Sequence, residues 1–163
     1  MKRIGLISDT HGWLDPRVRG HFESCDEIWH AGDIGNLDVL NELATMKPLR
    51  AVWGNIDGTN IRQRTEEFLW FDCEGMQVLI THIAGRPKQW SKPVLPWLKR
   101  KPDLLVCGHS HILLVKQDPH FMVKLDPLSI DTAESHVIIK DCVHVFNPQS
   151  INWTIKDTPV LSA

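Results

Sequence analysis

Seven residues with oxygen or nitrogen donor atoms recur at the ends of short apolar runs: Asp9, His11, Asp33, Asn55, His82, His109 and His111. Each lies beside Gly, Ser or Thr, the residues that let a chain leave a strand and turn. Asp9 and His11, two residues apart, pair a hard oxygen with a nitrogen, a combination suited to Zn, Mn or Fe. Alone, Asp9-Thr10-His11 reads as a turn with a cap. Seven donors together exceed one tetrahedral site. They suit two adjacent metals roughly 3.5–4 Å apart, which can clamp the attacking and leaving oxygens of an in-line phosphoryl displacement. One carboxylate must then bridge, and Asp33, in the middle of the chain order, is the natural candidate.

Such donors need strands to deliver them. Ile4 to Ile7 read as a buried strand running into Ser8-Asp9. Asp15-Pro16 reads as a helix start with Pro at the first helical position, and Val18 and Phe22 on one face. Asp26 to Ala31 form a second strand ending at Gly32-Asp33. Asn36 then caps a helix whose stripe is Leu37, Leu40, Leu43 and Ala44, up to Lys47-Pro48. Leu49 to Trp53 form a third strand ending at Gly54-Asn55. The order predicts a βαβαβ unit with polar groups at the carboxyl ends of a parallel sheet, where ligands of open α/β sheets collect.

Beyond residue 65, Phe68 to Cys73 and Met76 to Thr81 flank Glu74-Gly75 and read as a hairpin delivering Thr81-His82. Residues 84 to 93 are a basic, proline-containing loop. Leu95 to Arg100 form a short helix, and Asp103 to Cys107 a strand ending at Gly108-His109-Ser110-His111. Ile112 to Lys116, Phe121 to Leu125 and His136 to Phe146 are apolar enough for strands. No repeat or linker divides the chain, so residues 1–163 read as one domain.

Composition narrows the function. A length of 163 residues, 42% hydrophobic and 23% charged, suits one globular core rather than disorder. A net charge of −2 and a pI near 6.5 leave no basic excess for a long nucleic-acid groove. The apolar run after Lys2-Arg3 is too short for a signal-peptide core or a membrane span. Cys25, Cys73, Cys107 and Cys142 are scattered without a Cys-x-x-Cys pair, which reads as reduced thiols of a cytoplasmic protein. The seven tryptophans are compatible with a homo-oligomer.

With Asp9-Thr10-His11, Gly32-Asp33, Gly54-Asn55-Ile56-Asp57, Thr81-His82 and Gly108-His109-Ser110-His111 in this order, the chain resembles the calcineurin-like metallophosphoesterase superfamily. Its short length is similar to the small phosphodiesterase branch, which also includes the scaffold subunit of the retromer coat. The resemblance implies an α/β fold in four layers, an α/β/β/α sandwich of two packed sheets flanked by helices. It implies two divalent ions, with Mn the first expectation and Fe, Zn or Ni the others. Asp9, His11 and His111 would hold one ion, and Asn55, His82 and His109 the other. Asp33 would bridge, and a metal-bridging hydroxide would attack phosphorus in a small phosphodiester. Asn55, Asp57 and His82 are the expected catalytic residues, Asp57 as a partner orienting a ligand histidine. The alternative is a non-catalytic, metal-binding interaction scaffold of the same fold.

The chain departs from the pattern where Ile56 replaces a histidine and Ile83 a glycine. The element Asn-Pro-Gly-Ser has two imperfect counterparts, Asp126-Pro127-Leu128-Ser129 and Asn147-Pro148-Gln149-Ser150. Ile56 can neither give nor take a proton, which favours leaving groups that need little protonation. His30, inside an apolar strand, reads as a satisfied core histidine. His21, His120, His136 and His144 lack the strand-end context and read as structural or surface residues. Cys107 reads as a small buried apolar residue. Arg86 and Lys88 are candidates for steering an anionic substrate, and Trp13 and Trp90 for stacking on a base.

Overall fold

Alternation within the strands decides how the layers stack. In strand β1 (Arg3–Ile7), Ile4 and Leu6 enter one apolar cluster, and Ile7 enters another on the opposite face. The same split recurs in β2 (Glu27–His30), where Trp29 joins the first cluster and Ile28 the second. It recurs again in β5 (Met76–Thr81) and β8 (Leu104–Val106). There Val78, Ile80, Leu104 and Val106 face the first cluster, while Leu79 and Leu105 face a third. Period-two burial on both faces means that each sheet is covered twice. The structure, a computed structural model, describes residues 2–86 and 89–111, together with the backbone of strands at 114–118, 121–126 and 143–145.

The first sheet has β1, β2 and β3 (Leu49–Ala51) in parallel, with β11 (Val143–Val145) antiparallel on the outer side of β1. Helices α1 (Arg17–Phe22), α2 (Leu37–Met46) and the single turn α3 (Thr59–Arg62) cover its outer face. The second sheet runs β4-β5-β8-β10-β9, where β4 is Phe68–Cys73, β9 is Leu114–Asp118 and β10 is Phe121–Asp126. Its outer face is covered by α4 (Leu95–Leu98) and by a 3-10 turn at Lys92–Val94, with Trp97 and Leu98 packed on Leu105. The result is the expected four-layer α/β/β/α sandwich. A large apolar side chain fully buried between the layers contributes about 1.5–3 kcal/mol, against a few tenths for a residue's helix propensity. Packing of layers therefore outweighs local propensity in fixing this fold.

Several element boundaries follow the sequence reading closely. Asn36 caps α2 by accepting the Val39 N–H at 3.0 Å. The β4–β5 hairpin turns at Glu74 and Gly75, both at positive φ, as a two-residue turn matching the strand twist requires. Three features differ. Pro16 caps α1 rather than opening it, because Asp15 already takes the Arg17 N–H at 2.7 Å. The turn α3 carries no periodic stripe and escaped the sequence reading. The basic loop closes as a two-residue-per-strand hairpin, β6 (Gly85–Arg86) with β7 (Gln89–Trp90).

Cys25, Cys73 and Cys107 are buried and in no disulfide, and burial pushes the thiols of the first two up. His120, His136, Lys88, Cys142 and the His144 side chain lie outside the described residues. So do both tail elements beyond Asp126. Among the described residues no helix is long and apolar enough to cross a membrane.

Candidate metal centre

The parallel pairing of β1 with β2 continues past the strand ends. Asp9 N–H donates to Gly32 O at 2.9 Å, His11 N–H to Asp33 O at 3.0 Å and Gly12 N–H to Ile34 O at 2.7 Å. These bonds fasten the loop carrying Asp9 and His11 to the loop carrying Asp33. Five donor residues, Asp9, His11, Asp33, His109 and His111, have φ between 49° and 74°. That left-handed region is uncommon for residues with a side chain, and Asp and His tolerate it better than most. Glycines make the approach possible. Gly32 packs so closely on His82 that a Cβ there would lie 2.7 Å from the His82 ring, at φ +95. At Gly54 a Cβ would overlap Asp33 Oδ1 and the Asp33 amide.

The structure brings six of the seven donors into two groups, Asp9 with His11 and His111, and Asp33 with His82 and His109. Within each group the facing donor atoms all lie within 4.8 Å of one another. Asp33 Oδ2 stands between the groups, 3.2 Å from His82 Nε2 and 3.8 Å from His11 Nε2. Asp9 Oδ1 lies 3.5 Å from His111 Nε2 and 4.0 Å from His82 Nε2. Asn55, the seventh donor, points Oδ1 at His82 Nε2, 3.1 Å away. The Asp9 and Asp33 side chains are buried, whereas those of His11 and His111 are 30% and 41% exposed. The centre is thus closed on the carboxylate side and open on the histidine side.

The chemistry of His82 tests whether this arrangement fits a cation. Its Nδ1 lies 2.8 Å from Ala31 O, and a carbonyl can only accept, so Nδ1 carries the proton. The lone pair of Nε2 then faces the oxygens of Asp33, Asn55 and Asp9. Lone pairs converging on one point need a positive charge between them. A proton on Nε2 is one such charge. Burial alone would lower His82, but the Asp33 and Ala31 bonds and the nearby carboxylates raise it above its ordinary value. Burial would likewise raise Asp33, yet His82 and the Ile56 N–H at 3.1 Å hold it below the usual carboxylate range. A divalent ion replaces that proton with more charge and with the oxygen and nitrogen donors it prefers. The residues fit.

Asp57 corrects the expectation that it orients a ligand histidine. Its carboxylate is buried and accepts three backbone amides, from Ile34 at 3.1 Å, Gly35 at 2.7 Å and Gly54 at 2.8 Å. It ties the Asp33 loop to the Asn55 loop. Arg62 braces the same corner: its Nε donates to Asp57 O at 2.6 Å, and its guanidinium lies 4.1 Å over the Trp53 ring. No pattern in the sequence singled out Arg62. His30 is a satisfied core histidine. Its Nδ1 accepts the Gly32 N–H at 3.1 Å, leaving Nε2–H to donate to Thr10 Oγ1 at 3.0 Å, and the Thr10 hydroxyl donates to Ile34 O. Burial first, and then the charge of His82, push its pKa down to about 3.

Comparison with known proteins agrees in family and fold. The calcineurin-like phosphoesterase superfamily domain matches residues 1–154. A probable metallophosphoesterase of Methanothermobacter thermautotrophicus is 31% identical over 130 residues, 76% of this chain and 74% of that protein. Among solved structures, an archaeal phosphodiesterase superposes with a TM-score of 0.65 at 22% identity, covering 78% of this chain and 84% of the other. Vacuolar protein sorting 29 of Cryptosporidium parvum gives the same TM-score of 0.65 at 18% identity, covering 79% and 75%.

Proposed function

Because the chain belongs to the calcineurin-like phosphoesterase superfamily, we propose that it hydrolyses phosphodiesters with two divalent ions held by the seven donors. Asp9, His11 and His111 would hold one ion, Asn55, His82 and His109 would hold the other, and Asp33 would be the shared ligand. The observation that carries this reading is the convergence of the Asp33, Asn55 and Asp9 oxygens on Nε2 of His82. Mn is the first expectation, with Fe, Zn or Ni as alternatives, and reduced thiols point to the cytoplasm. When bound, the ions supply Lewis acidity and activate the attacking water at neutral pH.

The chain's own residues do the rest. Ala31 O fixes the His82 tautomer so that Nε2 faces the ion. The Ile56 amide helps hold Asp33 ionised and aimed, and the His109 amide aims Asp9, at 3.2 and 3.3 Å from its two oxygens. An Asn side chain has both an acceptor oxygen and a donor NH2, so Asn55 would ligate through Oδ1 and donate to a phosphoryl oxygen through Nδ2. Ile56 offers no proton to a departing oxygen. The enzyme therefore favours diesters whose leaving groups are stable as anions.

Hydrolysis of a chromogenic aryl phosphodiester and its matching monoester, by chelated protein with and without Mn, tests this. Metal-dependent turnover is expected, faster for the diester and lost in His82→Ala. Two bound ions per chain without turnover would overturn it and leave an interaction scaffold of the same fold.

A further inference from the structure

Four large apolar side chains are exposed among the described residues: Trp13 at 39%, Ile56 at 44%, Ile83 at 40% and Leu95 at 42%. Single exposed apolar residues are ordinary on a protein surface. Here, however, three of the four follow a donor residue by one or two positions: Trp13 after His11, Ile56 after Asn55 and Ile83 after His82. They follow the carboxyl ends of three different strands, β1 and β3 of the first sheet and β5 of the second, in the loops that carry the donors. Their backbones are pinned. Trp13 N–H bonds to Thr10 O at 2.9 Å, Ile56 N–H to Asp33 Oδ1 at 3.1 Å, and Ile83 O accepts the Ser91 hydroxyl at 2.9 Å. The loops are thus ordered while their apolar side chains remain in water.

We propose that Trp13, Ile56 and Ile83 form an apolar rim that seats the ester substituents of the substrate. The substrate class is then a phosphodiester bearing an aromatic or comparably apolar group. This rests on the reading of the donors as a metal centre. With phosphorus at that centre, both substituents of a diester must pass outward across the surrounding loops. On charge alone a cationic centre favours the more highly charged monoester, so preference for a diester needs a contact of another kind. An apolar rim supplies it. Trp13 offers an indole face to a flat substituent. Ile56, with no proton to give, also suits an aryl oxide, which departs without one.

The test is calorimetric binding of two uncleavable monoanions, diphenylphosphinate and dimethylphosphinate, to the Mn-loaded protein. They share the phosphorus centre and differ only in substituents. The diphenyl compound is expected to bind at least about tenfold tighter, as filling an apolar pocket allows. That ratio is expected to fall toward one in the triple variant Trp13→Ser, Ile56→Ser, Ile83→Ser. The ratio within each protein is the readout, so a general loss of affinity cancels. Ile83→Ser alone, at an exposed position beyond β5, covers failure of the triple variant to fold and is expected to lower the ratio partway. A wild-type ratio near one with both ligands bound, or a ratio kept in the folded variants, overturns the rim but not the metal centre. If neither ligand binds and no ion is retained, both fall together.

Discussion

Replacing Asp57 by alanine isolates what holds the two central loops together. The carboxylate is 2% exposed and accepts amides from Ile34, Gly35 and Gly54 at 2.7 to 3.1 Å. Each hydrogen bond to a charged acceptor contributes about 1.5–3 kcal/mol net, so three sum to at most about 5–9 kcal/mol. Sharing one carboxylate, water entering the space left behind, and the removed cost of burying a charge all reduce that figure. A loss of about 3–5 kcal/mol is expected, a large share of the roughly 5–15 kcal/mol that holds a domain folded. Asp57→Asn keeps one acceptor oxygen but turns an NH2 toward a backbone donor, so about half that loss is expected.

Urea unfolding of chelated wild type and both variants measures this without any contribution from metal. The midpoint is expected to fall at unchanged m. Metal titration then reads the consequence for the site. Asp33 and Asn55 ride on the two loops that Asp57 joins, so affinity is expected to drop 10- to 100-fold, as for other groups that position ligands. An Asp57→Ala protein within about 0.5 kcal/mol of wild type, the range of an ordinary surface change, would refute the account of the three amides. Lost stability with undiminished metal affinity would refute the positioning role alone.

Two further outcomes follow from the packing around the donors. Gly54→Ala places a Cβ over Asp33 Oδ1 and 2.7 Å from His82 Cδ2. It is expected to abolish retention of the ion at His82, while the free protein keeps the far-ultraviolet circular dichroism of the wild type. His30 is buried neutral with a pKa pushed down to about 3, so between that value and its ordinary 6.5 the unfolded chain binds a proton that the folded chain does not. Its contribution to stability is therefore complete above about pH 6.5 and is lost as pH falls toward 3, at up to about 1.4 kcal/mol per pH unit. In metal-free unfolding at pH 5 and pH 7, wild type should lose more stability than His30→Gln over that interval. Equal losses would refute the assignment.

The strands and helices were legible where one face is buried and the other meets water or a helix, as with Leu37, Leu40 and Leu43 on α2. The βαβαβ unit followed because each strand ends at a Gly or Ser before a polar residue. What escaped was set by contacts distant in sequence. The turn at Thr59–Arg62 has no apolar period, and it forms where Arg62 can bond to Asp57 O and Gly54 O. The Gly85–Trp90 hairpin depends on Gly85 at φ +83 and on the Ser91 bond to Ala84 O. At the site, donor types and their order could be read, because each donor sits at a strand end. The role of Asp57 could not. Whether an Asp carboxylate meets a histidine or three amides depends on loops brought together by β2 and β3, and neither loop shows that in its residues.

The backbone at the site has an electrostatic consequence. Continuing the β1–β2 ladder through Asp9–Gly32, His11–Asp33 and Gly12–Ile34 sets the two loops side by side. It also holds Asp9, His11 and Asp33 in a left-handed conformation that costs each about 1–2 kcal/mol. The ladder thereby buries two carboxylates, Asp9 at 0% and Asp33 at 2% exposure, both within 4.0 Å of His82 Nε2. Two neighbouring carboxylates out of water repel strongly when both carry charge, and one proton on the imidazole between them would offset only one of the two. Hydrogen bonds from the Ile56 and His109 amides share the load without adding a net charge. The deficit is a positive charge at the point where the oxygens of Asp33, Asn55 and Asp9 meet. Divalent cations meet that deficit directly, so the strain in these loops and the repulsion between their carboxylates favour one kind of occupant.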